Sequence, residues 1–196
     1  MKKTLLASSI ICTFTALALA QDLYPIGGGS RTQPDPKNKN LIQMVAEDSS
    51  HRLTVGRSLM KHKSARMIGI YVKVENLSET PITVKTSSFS MIDDDGKGYY
   101  GLETQEAIKR FQDTHGIATA VLAGPLMNPS VQAKMGEEIR RESLESGEVP
   151  PHSFKEGIVF FDAPKHQHYT LRVKLGSLWP DSFTFSTTKP KEEKRN

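Results

Sequence analysis

Cysteine is almost missing from this 196-residue chain: the single one, Cys12, lies inside an N-terminal apolar run that reads as a cleavable leader. Once that leader is removed no thiol remains. Disulfides, thiolate metal sites and cysteine nucleophiles are excluded together, so stability must come from a packed core. Ile11 stands before Cys12, where lipoprotein processing needs a small residue, and this argues against lipidation.

Long apolar runs are missing too. Beyond the leader no segment approaches about 18 uninterrupted apolar residues, so no transmembrane segment is expected in the mature chain. There is also no basic face. The formal charge is +4 and the pI about 9.1, but Lys2 and Lys3 belong to the leader, and Lys189, Lys191, Lys194 and Arg195 cluster with Glu192 and Glu193 in a tail. The body between is close to neutral, and nucleic-acid binding loses its electrostatic support. No 20 to 50-residue repeat is visible. No G-x-S-x-G elbow occurs, and "GGGSR" at 27–31 has neither the preceding strand nor the following Lys-Ser or Lys-Thr helix start of a phosphate loop. The carboxylate pairs Glu137-Glu138 and Glu192-Glu193 fall in a helix and a tail, where charge runs form a wet face. The sequence thus presents no catalytic residues and implies no cofactor, and a non-enzymatic role is expected.

What is present begins with the leader. Met1-Lys2-Lys3 is a short positive region, Leu5 to Leu19 is almost wholly apolar, and Ala18-Leu19-Ala20 supplies small residues at a signal-peptidase site. Residues 1–20 are therefore expected to be a signal peptide, and the product to be exported, periplasmic or extracellular. Residues 21–40, rich in Gly, Pro, Asn and charge, read as a flexible linker, 41–188 as the folded domain, and 189–196 as a polar tail.

Within the domain the strand signal is strong. In "RMIGIYVKVEN", Ile68, Ile70, Val72 and Val74 alternate with Gly69, Tyr71, Lys73 and Glu75, the period of a strand with one buried and one wet face. Weaker runs at 41–46 and 52–55 precede it, and Ile82 and Val84 follow the turn "NLSETP". Late in the chain come "GIVFFD", then "HYTLRVKLG" with Tyr169, Leu171, Val173 and Leu175 on one face, then "DSFTFSTT" with Phe183 and Phe185. Roughly seven short strands separated by turns imply a mainly β, antiparallel sandwich.

A helical insertion, about 102–147, interrupts the sheet pattern. Ala107, Ile108 and Phe111 share one face at helical spacing, with Gly116 as the expected stop. A second helix is signalled by Asn128 as cap, Pro129 at the first position, and Val131, Met135 and Ile139 at four-residue intervals, with Gly147 beyond. The apolar "IATAVLAGPLM" between them needs cover, so the insertion is expected to pack on the sandwich or on itself.

Two clusters could hold cations. Asp93-Asp94-Asp95-Gly96 invites a calcium reading, but setting Gly96 at position 6 of an EF-hand loop puts Met91 at position 1 and Leu102 at position 12, and the motif fails. His166 and His168 would point to one side of an extended segment, with His152 as a conceivable third ligand. "PKHQHY" also reads as a polar loop with solvated histidines, and no metal is expected.

Two resemblances carry the reading further. "IYVKVENLSETPITVKTSSFSMIDDDGKGYY", then "EVPPHSFKEGIVFFDAPK" and "YTLRVKL", resemble the immunoglobulin-like domains of unknown function found in secreted bacterial proteins and lipoproteins. This resemblance implies an immunoglobulin-like β-sandwich with a helical insertion, whose role is binding or structural interaction with an envelope protein or cell-wall component. "YYGLETQEAIKRFQDTHGI" looks like the second half of a peptidoglycan-binding helical module, matching at Tyr100, Gly101, Thr104, Ala107, Phe111, Gln112 and Gly116, but the first helix of that module has no counterpart upstream. The alternative it implies is wall attachment through the polar side chains Gln105, Lys109 and Gln112.

The leader yields the first testable expectation. Mass measurement on the protein recovered from cell fractions should show a chain beginning at Gln21 outside the cytoplasm; a mature pool retaining Met1 would contradict it.

Overall fold

The computed structural model describes residues 23–38, 41–58, 67–122, 129–163, 166–174 and 182–188, without the side chains of 114–132. The expected signal peptide, the polar tail, the Asn128 cap and Leu175 lie outside the described residues.

Among the described residues the chain forms twelve strands and two α-helices. The strands are β1 (Tyr24–Gly28), β2 (Arg31–Pro34), β3 (Ile42–Glu47), β4 (His51–Arg57), β5 (Met67–Asn76), β6 (Ile82–Val84), β7 (Phe89–Asp93) and β8 (Gly98–Tyr100), then, after the helices, β9 (Gly147–Val149), β10 (Phe154–Asp162), β11 (His168–Val173) and β12 (Ser182–Ser186). The helices are α1 (Thr104–Leu122) and α2 (Pro129–Glu142). One sheet has the order β1-β12-β11-β7-β8, a second the order β10-β5-β4-β3-β2, and β6 pairs with β9; all of these pairings are antiparallel. The fold is the antiparallel β-sandwich with a helical insertion that the pattern implied.

The alternation in β5 explains the core. Ile68, Ile70, Val72 and Val74 are buried and meet Phe89, Met91, Tyr169, Leu171, Phe183 and Phe185 of the opposite sheet in one apolar cluster. Tyr71, Lys73 and Glu75 point the other way and are only partly covered. Asn76, at the end of β5, is fully buried yet satisfied. Its Nδ2 donates to the carbonyls of Thr80 and Val149 at 2.8 and 3.0 Å, and its Oδ1 accepts from Ser78. One amide thus ties the β5–β6 turn to the end of β9.

Two expectations need correction. The stretch read as linker contains two paired strands: β1 lies against β12, and β2 against β3. Gly28 (φ +106°) and Gly29 (φ +71°) make the chain's passage from one sheet to the other, and a Cβ on Gly28 would meet the Ser182 carbonyl oxygen at 2.0 Å. "GGGSR" is therefore a crossover turn whose glycines are needed for left-handed backbone and close approach, not phosphate binding. Gly116 does not stop α1, which continues to Leu122. A glycine inside a helix costs only about 1 kcal/mol, too little to end it where the following residues continue the helix.

The insertion is fastened at both ends to β10. Leu102 N–H donates to the Phe160 carbonyl at 2.8 Å on entry, and Leu144 N–H to the Ile158 carbonyl at 2.9 Å on exit. Ala107, Ile108 and Phe111 of α1, with Met135 and Ile139 of α2, then bury Met67, Ile158 and Phe160 on the outer face of the second sheet. The helices thus form a third layer over half of that face.

The register of β5 is directly testable. Val72→Asp buries an unpaired charge and should cost several kcal/mol, whereas Lys73→Ala should stay within about 1 kcal/mol. Thermal melts ranking the two the other way would show the strand facing the opposite direction.

Candidate functional site

The half of the outer sheet face that the helices leave open is polar, for the same reason that the other half is covered: alternation sends Arg52 and Thr54 of β4, and Tyr71, Lys73 and Glu75 of β5, away from the core. Gln43 of β3, Arg31 and Gln33 of β2 and Glu156 of β10 extend this floor, and Glu138, Arg141 and Glu142 of α2 line one side. The resulting groove encloses about 660 Å³.

Charges of both signs are already paired along it. Arg52 bridges Glu47 at 2.9 Å and Glu75 at 3.7 Å, Lys73 meets Glu75 at 3.1 Å, and Arg31 reaches Glu47 at 3.1 Å. The Arg52 hydrogen bond holds the Glu47 carboxyl below its usual range against the opposing effect of burial, helped by the charges of Arg52 and Arg31. Tyr71 donates to Glu156 at 2.6 Å; burial first, then this carboxylate, pushes the phenol well above its ordinary range, so it remains a donor. Beneath the rim, Asp35 is buried but accepts from the backbone of Lys37 and Asn38 and from Gln43, whose Oε1 accepts from Gln33. Phe154 of β10 is 53% exposed, with the Lys73 ammonium 4.4 Å from its ring centre. The floor thus offers fixed donors and fixed acceptors, with Phe154 beside it, which suits a polar ligand carrying charge of both signs.

A second polar cluster lies where the β7–β8 turn meets the segment entering β11. Asp93 is buried; its Oδ1 accepts from the N–H groups of Asp95 and Lys97, and its Oδ2 accepts from Tyr99 at 2.7 Å and faces His166 Nε2 at 3.2 Å. Burial disfavours the charged form, but the bonds from Tyr99 and Lys97, the His166 ring and the Asp95 amide outweigh it and hold this carboxyl below its usual range. Asp94 accepts from the His168 N–H at 3.0 Å.

The residues singled out from sequence fall as follows. Gln105, Lys109 and Gln112 are all exposed on α1, away from buried Ala107, Ile108 and Phe111. His152 contacts Glu79 at 3.0 Å and takes no part in the histidine cluster. His166 and His168 do not act as a pair, because His166 precedes β11 and is not in extended register with His168; each meets a different aspartate. Among the described residues, the group with ligand atoms within 4.8 Å of one another is Asp93, Asp95 and His166. Sequence reasoning missed the groove. Its only trace was the wet face of β5, whose alternation marks exposure but not what lies across from it.

No known protein family matches the chain, and no curated protein matches it in sequence. Among solved structures it is similar to ycdA, a lipoprotein candidate from Bacillus subtilis, at 15% identity and TM-score 0.41 over 71% of this chain and 37% of that one. It is also similar to yjhA from Bacillus subtilis, at 14% identity and TM-score 0.39 over 66% and 76% of the two chains. A third likeness is to MPT63, a secreted protein from Mycobacterium tuberculosis, at 13% identity and TM-score 0.34 over 70% and 87%. The chain spans only about a third of ycdA, and likenesses this distant carry no function or residue roles to it. No described helix is long and apolar enough to cross a membrane.

The Asp93 bonds imply a pH signature. Its folded-state pKa lies below the unfolded value of about 3.9, so its stabilisation is present above that pH and lost as the pH falls through the depressed folded value. Asp93→Asn should lower the melting temperature at pH 7, and the gap to the native protein should close in strong acid. An equal gap at both pH values would show that the charge contributes nothing.

Proposed function

We propose that this protein is an exported, non-enzymatic binding module of the cell envelope, related to the immunoglobulin-like domains of secreted bacterial proteins, and that its polar groove receives a cell-wall glycopeptide. The groove itself carries the reading. Its ion pairs hold Arg52, Lys73 and Glu75 in place before any ligand arrives, which reduces the ordering cost of binding. Wall peptides present free carboxylates and amines together, and a floor of mixed sign offers partners to both. Exposed Phe154, beside the groove on β10 with Lys73 over its ring, adds aromatic surface next to the floor. The expected leader supports this reading, since export would bring the mature chain to where such a ligand occurs.

A second reading keeps the wall as ligand but uses the exposed face of α1, which carries Gln105, Lys109 and Gln112. Its support is the resemblance over 100–116.

Co-sedimentation of the mature protein with purified peptidoglycan separates the two. The groove reading expects Lys73→Glu with Arg141→Glu to reduce binding at least about tenfold, a change of roughly 1.4 kcal/mol. It also expects Gln105→Ala, Lys109→Ala and Gln112→Ala together to leave binding unchanged, with both proteins folded by circular dichroism. The reverse pattern would transfer attachment to α1, and no sedimentation of the native protein would remove the wall ligand altogether.

A further inference from the structure

None of the residues in the Asp93 cluster lines the groove, and the geometry there points to a separate site. We propose that Asp93, Asp95 and His166 bind a divalent transition-metal ion of the zinc class.

Zinc bonds to nitrogen and oxygen of about 2.0–2.2 Å place neighbouring ligand atoms roughly 3 Å apart. Asp93 Oδ2 and His166 Nε2 stand 3.2 Å apart already, one ligand atom from each of Asp93, Asp95 and His166 lies within 4.8 Å of the other two, and the Asp95 carboxylate stands 3.9 Å from the second ring nitrogen, Nδ1. The Asp95 side chain is 80% exposed, and solvent around it leaves room for its carboxylate to turn toward Nε2.

Asp93 Oδ1 is fully used by two backbone N–H groups, which fix the carboxylate plane. Oδ2 takes one bond from Tyr99, and its remaining acceptor direction is the one His166 occupies. A metal entering between them displaces a single weak contact, and both partners of that contact become ligands. The Tyr99 hydroxyl then serves as the outer partner that orients a coordinating carboxylate. The His166 segment is fastened as well: its backbone N–H donates to the Tyr169 hydroxyl at 2.8 Å, and its ring stands edge-on to that of Tyr169 with centroids 6.0 Å apart. His168 and Asp94 join the same two segments alongside, through the 3.0 Å backbone bond.

The donor set selects the ion. One imidazole with two carboxylates suits zinc and its neighbours, whereas calcium takes six to eight oxygens and has no use for the ring nitrogen. Three consecutive carboxylates give the corner its negative potential.

Isothermal titration of the untagged mature protein with zinc chloride tests this, together with melting curves in zinc and in calcium. One zinc ion per chain is expected, with a rise in melting temperature that grows with zinc concentration. His166→Gln and Asp95→Asn, which keep the Asp93 bonds from Tyr99 and from the Asp95 and Lys97 amides, should weaken binding at least roughly tenfold, since even outer partners of metal ligands cost that much. His152→Gln should change nothing. Absence of zinc binding would overturn the site, as would equal affinity in the His166 and Asp95 variants. Calcium binding that matches zinc and ignores His166→Gln would overturn the assignment of the ion.

Discussion

Strand β10 is the element on which the rest depends, because it is an edge strand with apolar residues on both faces. Its inward residues Val159 and Phe161 enter the sandwich core, while Ile158 and Phe160 face outward from the sheet. An exposed edge with an apolar outer face is an aggregation hazard, and the chain meets it with the helical insertion. The backbone bonds from Leu102 and Leu144 fall on Phe160 and Ile158, the two residues that need cover. The insertion is thus anchored where its apolar stripe is required, and no separate helical core has to be built around it.

The same arrangement creates the groove. Because α2 covers only the apolar half of the sheet face, its polar side stands beside the open half as a wall, and Glu138, Arg141 and Glu142 look across at the floor of β4 and β5. Exposed ion pairs contribute little to stability, so the pairing of Arg52, Glu47, Glu75 and Lys73 is a weak reason for the fold to keep them. They are better understood as positioning one another. The network of buried Asp35 and Gln43 with partly buried Gln33 beneath them has its bonds met from the chain itself, which makes the floor rigid instead of strained.

How much of this the sequence disclosed follows from where each feature gets its stability. Strands β5, β11 and β12 carry their own alternation, and their buried residues could be named in advance. Strands β1 and β2 could not, since Gly, Pro and polar residues make poor strands alone and these two exist through pairing with β12 and β3. The helices were legible from Ala107, Ile108 and Phe111 and from Pro129, Met135 and Ile139, but the end of α1 was not, because a lone glycine is a weak stop. For the groove, the wet residues of β5 were visible while their neighbours were not: strand order, β10-β5-β4-β3-β2, is what sets Glu156, Arg52 and Gln33 on one floor. The meeting of Asp93 with His166 was hidden for the same reason, since it depends on β7 lying beside β11.

That meeting is also the point where a polar corner is most firmly joined to the apolar interior. Tyr99 and Tyr169 both have their rings in the core cluster and their hydroxyls in the corner, one on Asp93 and the other on the His166 backbone. Burial pushes the hydroxyls of both above their ordinary range, so they stay protonated and keep donating or accepting as the geometry requires. A packed ring has few alternative positions, and its hydroxyl is therefore a fixed point to which a loop can be fastened. Two such points, on neighbouring parts of one sheet, hold the β7–β8 turn and the segment before β11 against each other despite three consecutive carboxylates that repel. The aspartates gain a defined geometry from the core, while the histidines, arriving from the other segment, supply the partners that make their closeness tolerable.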